Sequence, residues 1–211
     1  MTDMLIAVEG LDGAGKSTQV SLLASALSTV DVVSFPRYKT FFGRHIRALL
    51  DGHGDVSAET VDPRSMALWY ALDRVQWVRE HKHGLDGVVL LNRYTLSNAV
   101  YQSARSGDPA LFDWVLRLEF DELELPRPDV TVVLDVPPEV SADRVASRGN
   151  GDDVYERSAG LLARVREGYL AAASRLPNVV VVSAAAAPTV VHAEVLTALA
   201  PFLSGSAVRP A

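Results

Sequence analysis

The sequence contains no cysteine, which excludes disulfide cross-links and thiolate metal sites. Positive charge is in deficit. Twenty Lys and Arg against 26 Asp and Glu leave a formal net charge of −6 at pH 7, which argues against a nucleic-acid or anionic-membrane surface. The arginines are therefore expected to act locally. No apolar run reaches the ~20 residues of a membrane helix. The five His residues form no metal-binding constellation. His81 and His83 flank Lys82 at what reads as a helix end, where cations favour the helix dipole. Strand-like residues begin at Met4, so no signal peptide is expected, and a cytoplasmic location is the default. No repeat or linker divides the chain. The expectation is one α/β domain over 1–211, with a small, polar, frayed tail over about 205–211.

What is present is a core and one strong motif. Apolar residues make up 48% of the chain, enough for a full core. Gly10-Leu11-Asp12-Gly13-Ala14-Gly15-Lys16-Ser17 fits G-x-x-x-x-G-K-[ST] without substitution. An apolar run, Leu5 to Val8, precedes it. A helical pattern follows from Thr18, with Val20, Leu22, Leu23 and Leu27 at helical spacing. Strand, glycine loop and helix are the context in which backbone N–H groups cradle phosphates. In that setting Lys16 reaches the β- and γ-phosphates and the Ser17 hydroxyl ligates Mg²⁺. The loop predicts a nucleoside triphosphate. It leaves the acceptor open.

Four more apolar runs read as buried strands: Val32–Phe35, Val88–Leu91, Val130–Val136 and Val179–Val182. Helical patterns separate them, which predicts a parallel sheet with helices on both faces. Ligands then bind off the carboxyl ends of the strands. After the second strand stand Phe35, Pro36, Arg37 and Tyr38; Arg37 is either over the crevice or solvated. A helix is expected from Asp62 as N-cap and Pro63 at N1 to about Lys82. On it Tyr70 and Arg74 share a face, either to stack on a base and bond its edge or as a core aromatic beside a surface Arg. After the third strand come Asn92, Arg93 and Tyr94, then Asn98, Tyr101 and Gln102 on an expected helix. Asp108-Pro109 starts another helix, expected to reach Glu119-Phe120. Arg144 and Arg148 sit one turn apart before Gly149 to Asp153. Tyr155-Glu156-Arg157 is expected to open a long helix. Arginines around a Gly-rich segment suit a lid over phosphates; the alternative is an ordinary loop beside a solvated helix.

These motifs together resemble the thymidylate kinase family. The carriers are Glu9 to Thr18, Phe35 to Tyr38, Ala71 to Arg74, Arg93 to Gln102, Pro128 to Val136 and Asp153 to Glu156, all in family order. The likeness covers about Met4 to Phe202 and is strongest to the mycobacterial-like branch. It implies a three-layer phosphate-loop nucleoside monophosphate kinase fold with a lid over about 144–156. It implies transfer from Mg-ATP to dTMP in dTTP synthesis, a homodimer, and no nucleic-acid or membrane partner. ATP would be held by Gly10 to Thr18 and Arg144. The resemblance places Tyr70 against thymine, Arg74 at its O4 and Asn98 at its edge. Tyr101 would stand at the sugar 2′ position and Asp12 at the 3′-OH, with Phe35, Pro36, Tyr38, Gln102 and Tyr155 around the acceptor. Arg37 and Arg93 would hold the 5′-phosphate. Lys16 and Arg148, with Arg144, would meet the transferring group, since Ala14 stands where one branch has a loop arginine. Metal contacts would fall to Ser17, with Asp12 and Glu156 as further candidates and Asp153 ordering the lid. The family usually has Asp at position 92; here Asn92 keeps the oxygen and loses the charge. Two other readings stay open at this stage: a deoxynucleoside kinase with a hydroxyl acceptor, and a nucleotide-binding regulator with little catalysis.

Overall fold

The computed structural model describes residues 4–52, 56–81, 87–147, 155 and 158–203. Five parallel strands form one sheet in the order β2-β3-β1-β4-β5. They are β1 (Met4–Gly10), β2 (Val30–Ser34), β3 (Val88–Asn92), β4 (Val130–Asp135) and β5 (Val179–Ser183). The helices are α1 (Lys16–Ala26), α2 (Phe41–Asp51), α3 (Pro63–Glu80), α4 (Thr95–Ser106), α5 (Ala110–Arg117), α6 (Pro138–Ala146), α7 (Ala159–Arg175) and α8 (Pro188–Leu203).

The central strand is β1, paired with β3 on one side and β4 on the other. Every β1 residue is buried, as expected of a strand covered on both faces. Alternation sorts its side chains. Ile6 and Val8 share a core cluster with Val20 and Leu23 of α1 and with Leu27 just after it, while Leu5 and Ala7 pack with Trp77 of α3, Val89 and Leu91. From β1 the chain runs out to the edge strand β2, returns to β3 between them, then crosses to the other side of β1 for β4 and β5. The glycine loop leaves β1 at this change of side, where open α/β sheets bind ligands.

Several expected boundaries shift. β2 and β5 are edge strands and not fully buried: Val32 is 49% and Val181 43% exposed. β2 ends at Ser34, which releases Phe35 into a buried cluster with Trp77 and Tyr94. The α3 start is as read, with the Asp62 carboxylate accepting from Arg64 N at 3.0 Å and Ser65 N at 2.9 Å; it ends at Glu80. The helix from Asp108-Pro109 stops at Arg117 and continues as a π-helical turn, Leu118–Glu122. Pro126 and Pro128 follow that turn too closely for another helix. α7 begins at Ala159, later than expected, because Ser158 Oγ accepts from Leu161 N at 3.2 Å and caps it there. α2 had no clear signal in the sequence; Thr40 caps it through Gly43 N. Arg148, Asp153, Glu156 and the tail over 205–211 lie outside the described residues, so the core of the expected lid does too.

Candidate active site

The phosphate loop runs from the end of β1 into α1. Gly13 has φ +80°, and a Cβ there would overlap the Ser141 carbonyl of α6. Close approach of the loop to α6 thus requires glycine. Gly15, at φ +91°, is the N-cap of α1, and a Cβ on it would meet no atom within 4 Å. Lys16 is 7% exposed and folds back over the loop, donating from Nζ to Gly10 O at 3.1 Å and Leu11 O at 2.7 Å. Its pKa is pushed down to about 8, first by burial and then by the nearby Arg93 charge, with Asp12 and Glu9 opposing.

That depressed pKa has a consequence for nucleotide binding. A polyphosphate stabilises the ammonium form, so binding takes up a proton wherever free Lys16 is neutral. ATP affinity should be flat below pH 7 and should weaken about fivefold between pH 8 and pH 9, as a single group of pKa about 8 dictates. Titration calorimetry in buffers of different ionisation enthalpy reads both the affinity and the proton. A constant Kd from pH 7 to pH 9 would contradict it.

Arg93 follows β3 at φ +66°, a strained backbone for a side-chain-bearing residue. Its Nη2 meets Asp12 Oδ2 at 2.6 Å, and Nη1 donates to Ser97 Oγ at 2.9 Å. The guanidinium lies 5.4 Å over the Tyr101 ring. Burial alone would raise the Asp12 pKa, but Arg93 and Lys16 outweigh it and hold the carboxyl well below the usual range. Glu9 anchors the start of α4 beneath them. Its carboxylate accepts from Tyr94 N at 2.8 Å and Ser97 N at 3.1 Å, and from Ser97 Oγ. Full burial raises its pKa despite these donors. Asn92 Nδ2 lies 3.2 Å from Ser17 Oγ and 3.3 Å from Ser34 Oγ, while its Oδ1 is buried without a partner among the described residues.

A pocket opens beside this loop toward α3 and α4. Asp12, Arg93, Phe35, Pro36 and Tyr38 line its mouth; Tyr70, Arg74, Asn98, Tyr101, Gln102 and Tyr155 line its depth. Tyr70 and Arg74, alternatives in the sequence, face the same cavity. Arg74 is 2% exposed, with its guanidinium 5.9 and 5.8 Å from the centroids of the Phe35 and Tyr94 rings. Asn98 Oδ1, Tyr101 Oη and Gln102 Nε2 are buried without an aligned partner among the described residues. Buried polar groups are normally satisfied, so this concentration in one pocket marks a site for a polar ligand. On the other side of the loop a groove is lined by Gly13, Ala14, Gly15, Thr18 and Arg144.

The structure gives Arg37, Arg144 and Asp12 partners that spacing did not show. Arg37 does not line the acceptor pocket. Its guanidinium is drawn to the carboxylates of Asp73, 3.4 Å from Nε, and Glu80, 2.5 Å from Nη1. Arg144 lies on α6 and bonds the carbonyls of Gly13, Ala184 and Ala185 at 3.4, 2.9 and 3.1 Å. It therefore braces the loop from the groove side, away from the pocket. The Asp12 carboxylate pairs with both Arg93 and Lys16. Sequence reading passed over Glu119 and gave Glu9 no role. Glu119 sits 45 residues from its partner Arg74, so only the chemistry of a buried arginine, which demands a carboxylate, pointed toward it.

Comparison with known proteins shows the family. A family model described as thymidylate kinase matches residues 8–195. A thymidylate kinase of Mycobacterium tuberculosis strain H37Rv is 39% identical over 183 residues, 79% of this chain and 84% of the relative. A probable thymidylate kinase of Thermococcus onnurineus is 34% identical over 206 residues, 92% and 95% of the two chains. A solved thymidylate kinase structure from Candida albicans superposes with TM-score 0.79 at 22% identity, covering 99% and 96% of the two chains.

Proposed function

This chain belongs to the thymidylate kinase family, and on that premise we propose that it phosphorylates dTMP to dTDP with ATP through the loop and pocket described above. The observation that carries the reading is the shared boundary of the two sites. Arg93 and Asp12 line both the phosphate-loop cleft and the adjoining pocket. An acceptor phosphate there lies beside a guanidinium. A base in the depth meets Tyr70, Arg74 and Asn98.

The acceptor is itself an anion, so the chemistry needs positioning and charge stabilisation more than a strong base. Loop amides and Lys16 hold the donor phosphates. Arg93 orients the acceptor oxygen. Arg144 supports the loop from the donor groove, and Arg37 can join the acceptor phosphate only by leaving Asp73 and Glu80. Arg148, from the lid, is our candidate for charge on the transferring group.

The residues near Ser17 fit a hydrated magnesium ion carried by ATP. They offer hard oxygen donors and one unpartnered amide oxygen, and no cluster of acidic or His ligands stands among the described residues. When bound, Mg²⁺ would neutralise phosphate charge. We assign its protein contact to Ser17 Oγ and its remaining ligands to ATP and water, because Asn92 turns its donor Nδ2 toward Ser17. Asn92→Asp adds a negative charge there. It should lower the free Mg²⁺ needed for half-maximal turnover by about five- to tenfold, the worth of one added charge at a few ångströms in a partly wet site. Turnover titrated against free Mg²⁺ reads this; an unchanged midpoint would put the metal elsewhere.

The homodimer and cytoplasmic location belong to the same proposal. Phe41 of α2 and Leu68 and Leu72 of α3 are 53%, 42% and 39% exposed, a surface suited to a second copy. A monomer by sedimentation at micromolar concentration would count against it. The decisive test of function is ADP release from Mg-ATP with dTMP, dUMP, dGMP, AMP and thymidine. Turnover highest with dTMP supports the kinase; preference for thymidine indicates a nucleoside kinase; binding without turnover indicates a regulator.

A further inference from the structure

The polar edge of the acceptor pocket is governed by a residue that does not line it. Glu119 is fully buried in the π-helical turn after α5. Its Oε2 accepts from Arg74 Nε at 2.6 Å and Thr95 Oγ1 at 2.7 Å. Its Oε1 accepts from Asn98 Nδ2 at 2.7 Å and from Arg74 Nη2. Four donors meet a carboxylate whose capacity is about four. No water can enter without displacing one of them.

This hub dictates how Asn98 is turned. The amide nitrogen faces two oxygens, Glu119 Oε1 and, at 3.0 Å, Ala67 O. Exchanging nitrogen and oxygen would set three acceptors together. Amide orientation follows the network around it, so Oδ1 is directed away from Glu119, buried and without a partner among the described residues. The pocket edge therefore presents an acceptor from Asn98 beside a donor from Arg74.

We propose that Glu119 is a positioning residue that fixes this acceptor–donor order and thereby excludes 4-aminopyrimidine nucleotides. The proposal rests on the dTMP reading of the pocket. Thymine and uracil offer N3–H and a 4-oxo group, which match the pair. Cytosine offers a bare N3 and an amino group, which set acceptor against acceptor and donor against donor. A buried site built on hydrogen bonds discriminates steeply against a ligand that cannot make them.

Glu119→Gln tests it. Glutamine brings an amide NH₂ into a hub of donors, so one of the four must turn away. Where that NH₂ replaces Oε1, Asn98 is released to rotate. The expected result is a rise in KM for dTMP, a kcat within about threefold of wild type, and a fall of at least tenfold in the dTMP:dCMP ratio of kcat/KM. A purely structural role would lower both acceptors alike, and an unchanged ratio overturns the proposal. If the variant does not fold, Glu119→Asp keeps the charge beside Arg74 but is one methylene too short to hold Arg74 and Asn98 together. The ratio should then fall at least threefold, and no change again overturns the proposal. A wild-type enzyme that turns over dCMP as well as dTMP overturns the proposal directly, whereas one that turns over neither refutes the substrate reading on which it rests.

Discussion

Lys16→Met should give a folded protein that turns over dTMP about 10³-fold more slowly, since removing a preorganised charge-stabilising donor costs about 10²–10³ and Lys16 carries a full charge. Methionine matches the stem of the side chain and fills the same buried space. What it lacks is the ammonium that bonds Gly10 O and Leu11 O. Two carbonyls lose a donor, at about 1–3 kcal/mol each at most, which a domain with about 5–15 kcal/mol of stability survives. Single-turnover kinetics with saturating ATP isolates the chemical step, and a thermal melt checks the fold. A loss below tenfold would assign Lys16 to shaping the loop and not to the transferring phosphates.

Arg93→Met should lower kcat/KM for dTMP by about 10³-fold, the scale of a lost arginine at a phosphoryl centre. Three connections fail together: the pair with Asp12, the bond to Ser97 Oγ and the cover over Tyr101. The substitution carries a second signature that a mere packing defect does not. Arg93 is one of the two main causes of the depressed Lys16 pKa, after burial. Its removal should raise that pKa, so the weakening of ATP binding moves to higher pH. Arg93→Lys keeps the charge and should leave the pH dependence in place while still losing the fork to Asp12 and Ser97. If Arg93→Met loses activity but leaves the alkaline loss of ATP affinity at pH 8, the coupling between the two cations is wrong.

Phosphate recognition was legible because it is encoded in contiguous residues. The glycines of the loop, Lys16 and Ser17 act through their own backbone and their immediate neighbours, so spacing alone carries the chemistry. The Asp62 cap and the five strands were legible for the same reason: local hydrogen bonding and short continuous apolar runs act over a few residues. Tyr70 and Arg74 were half legible. Their spacing put them on one face of a helix, but a helix face can look into a core or into a cavity.

The orientation of the charged side chains was not legible, because it depends on which carboxylate lies nearest in space. The place of Arg37 after a strand left it over the crevice or solvated, and only the resemblance set it at the acceptor phosphate; in the structure Asp73 and Glu80 on α3 are its partners. Arg144 is expected beside ATP, and it is the packing of α6 against the loop and the strand beyond that also bonds it to their carbonyls. The sequence by itself determined the donor site, the sheet and the family. The tertiary structure decided the acceptor site, since Glu119, Arg74 and Asn98 come from three segments that only the packing of α3, α4 and the π-helical turn brings together. Electrostatic energy falls with distance in space and is indifferent to distance along the chain, so a buried four-donor hub leaves no mark in any local pattern.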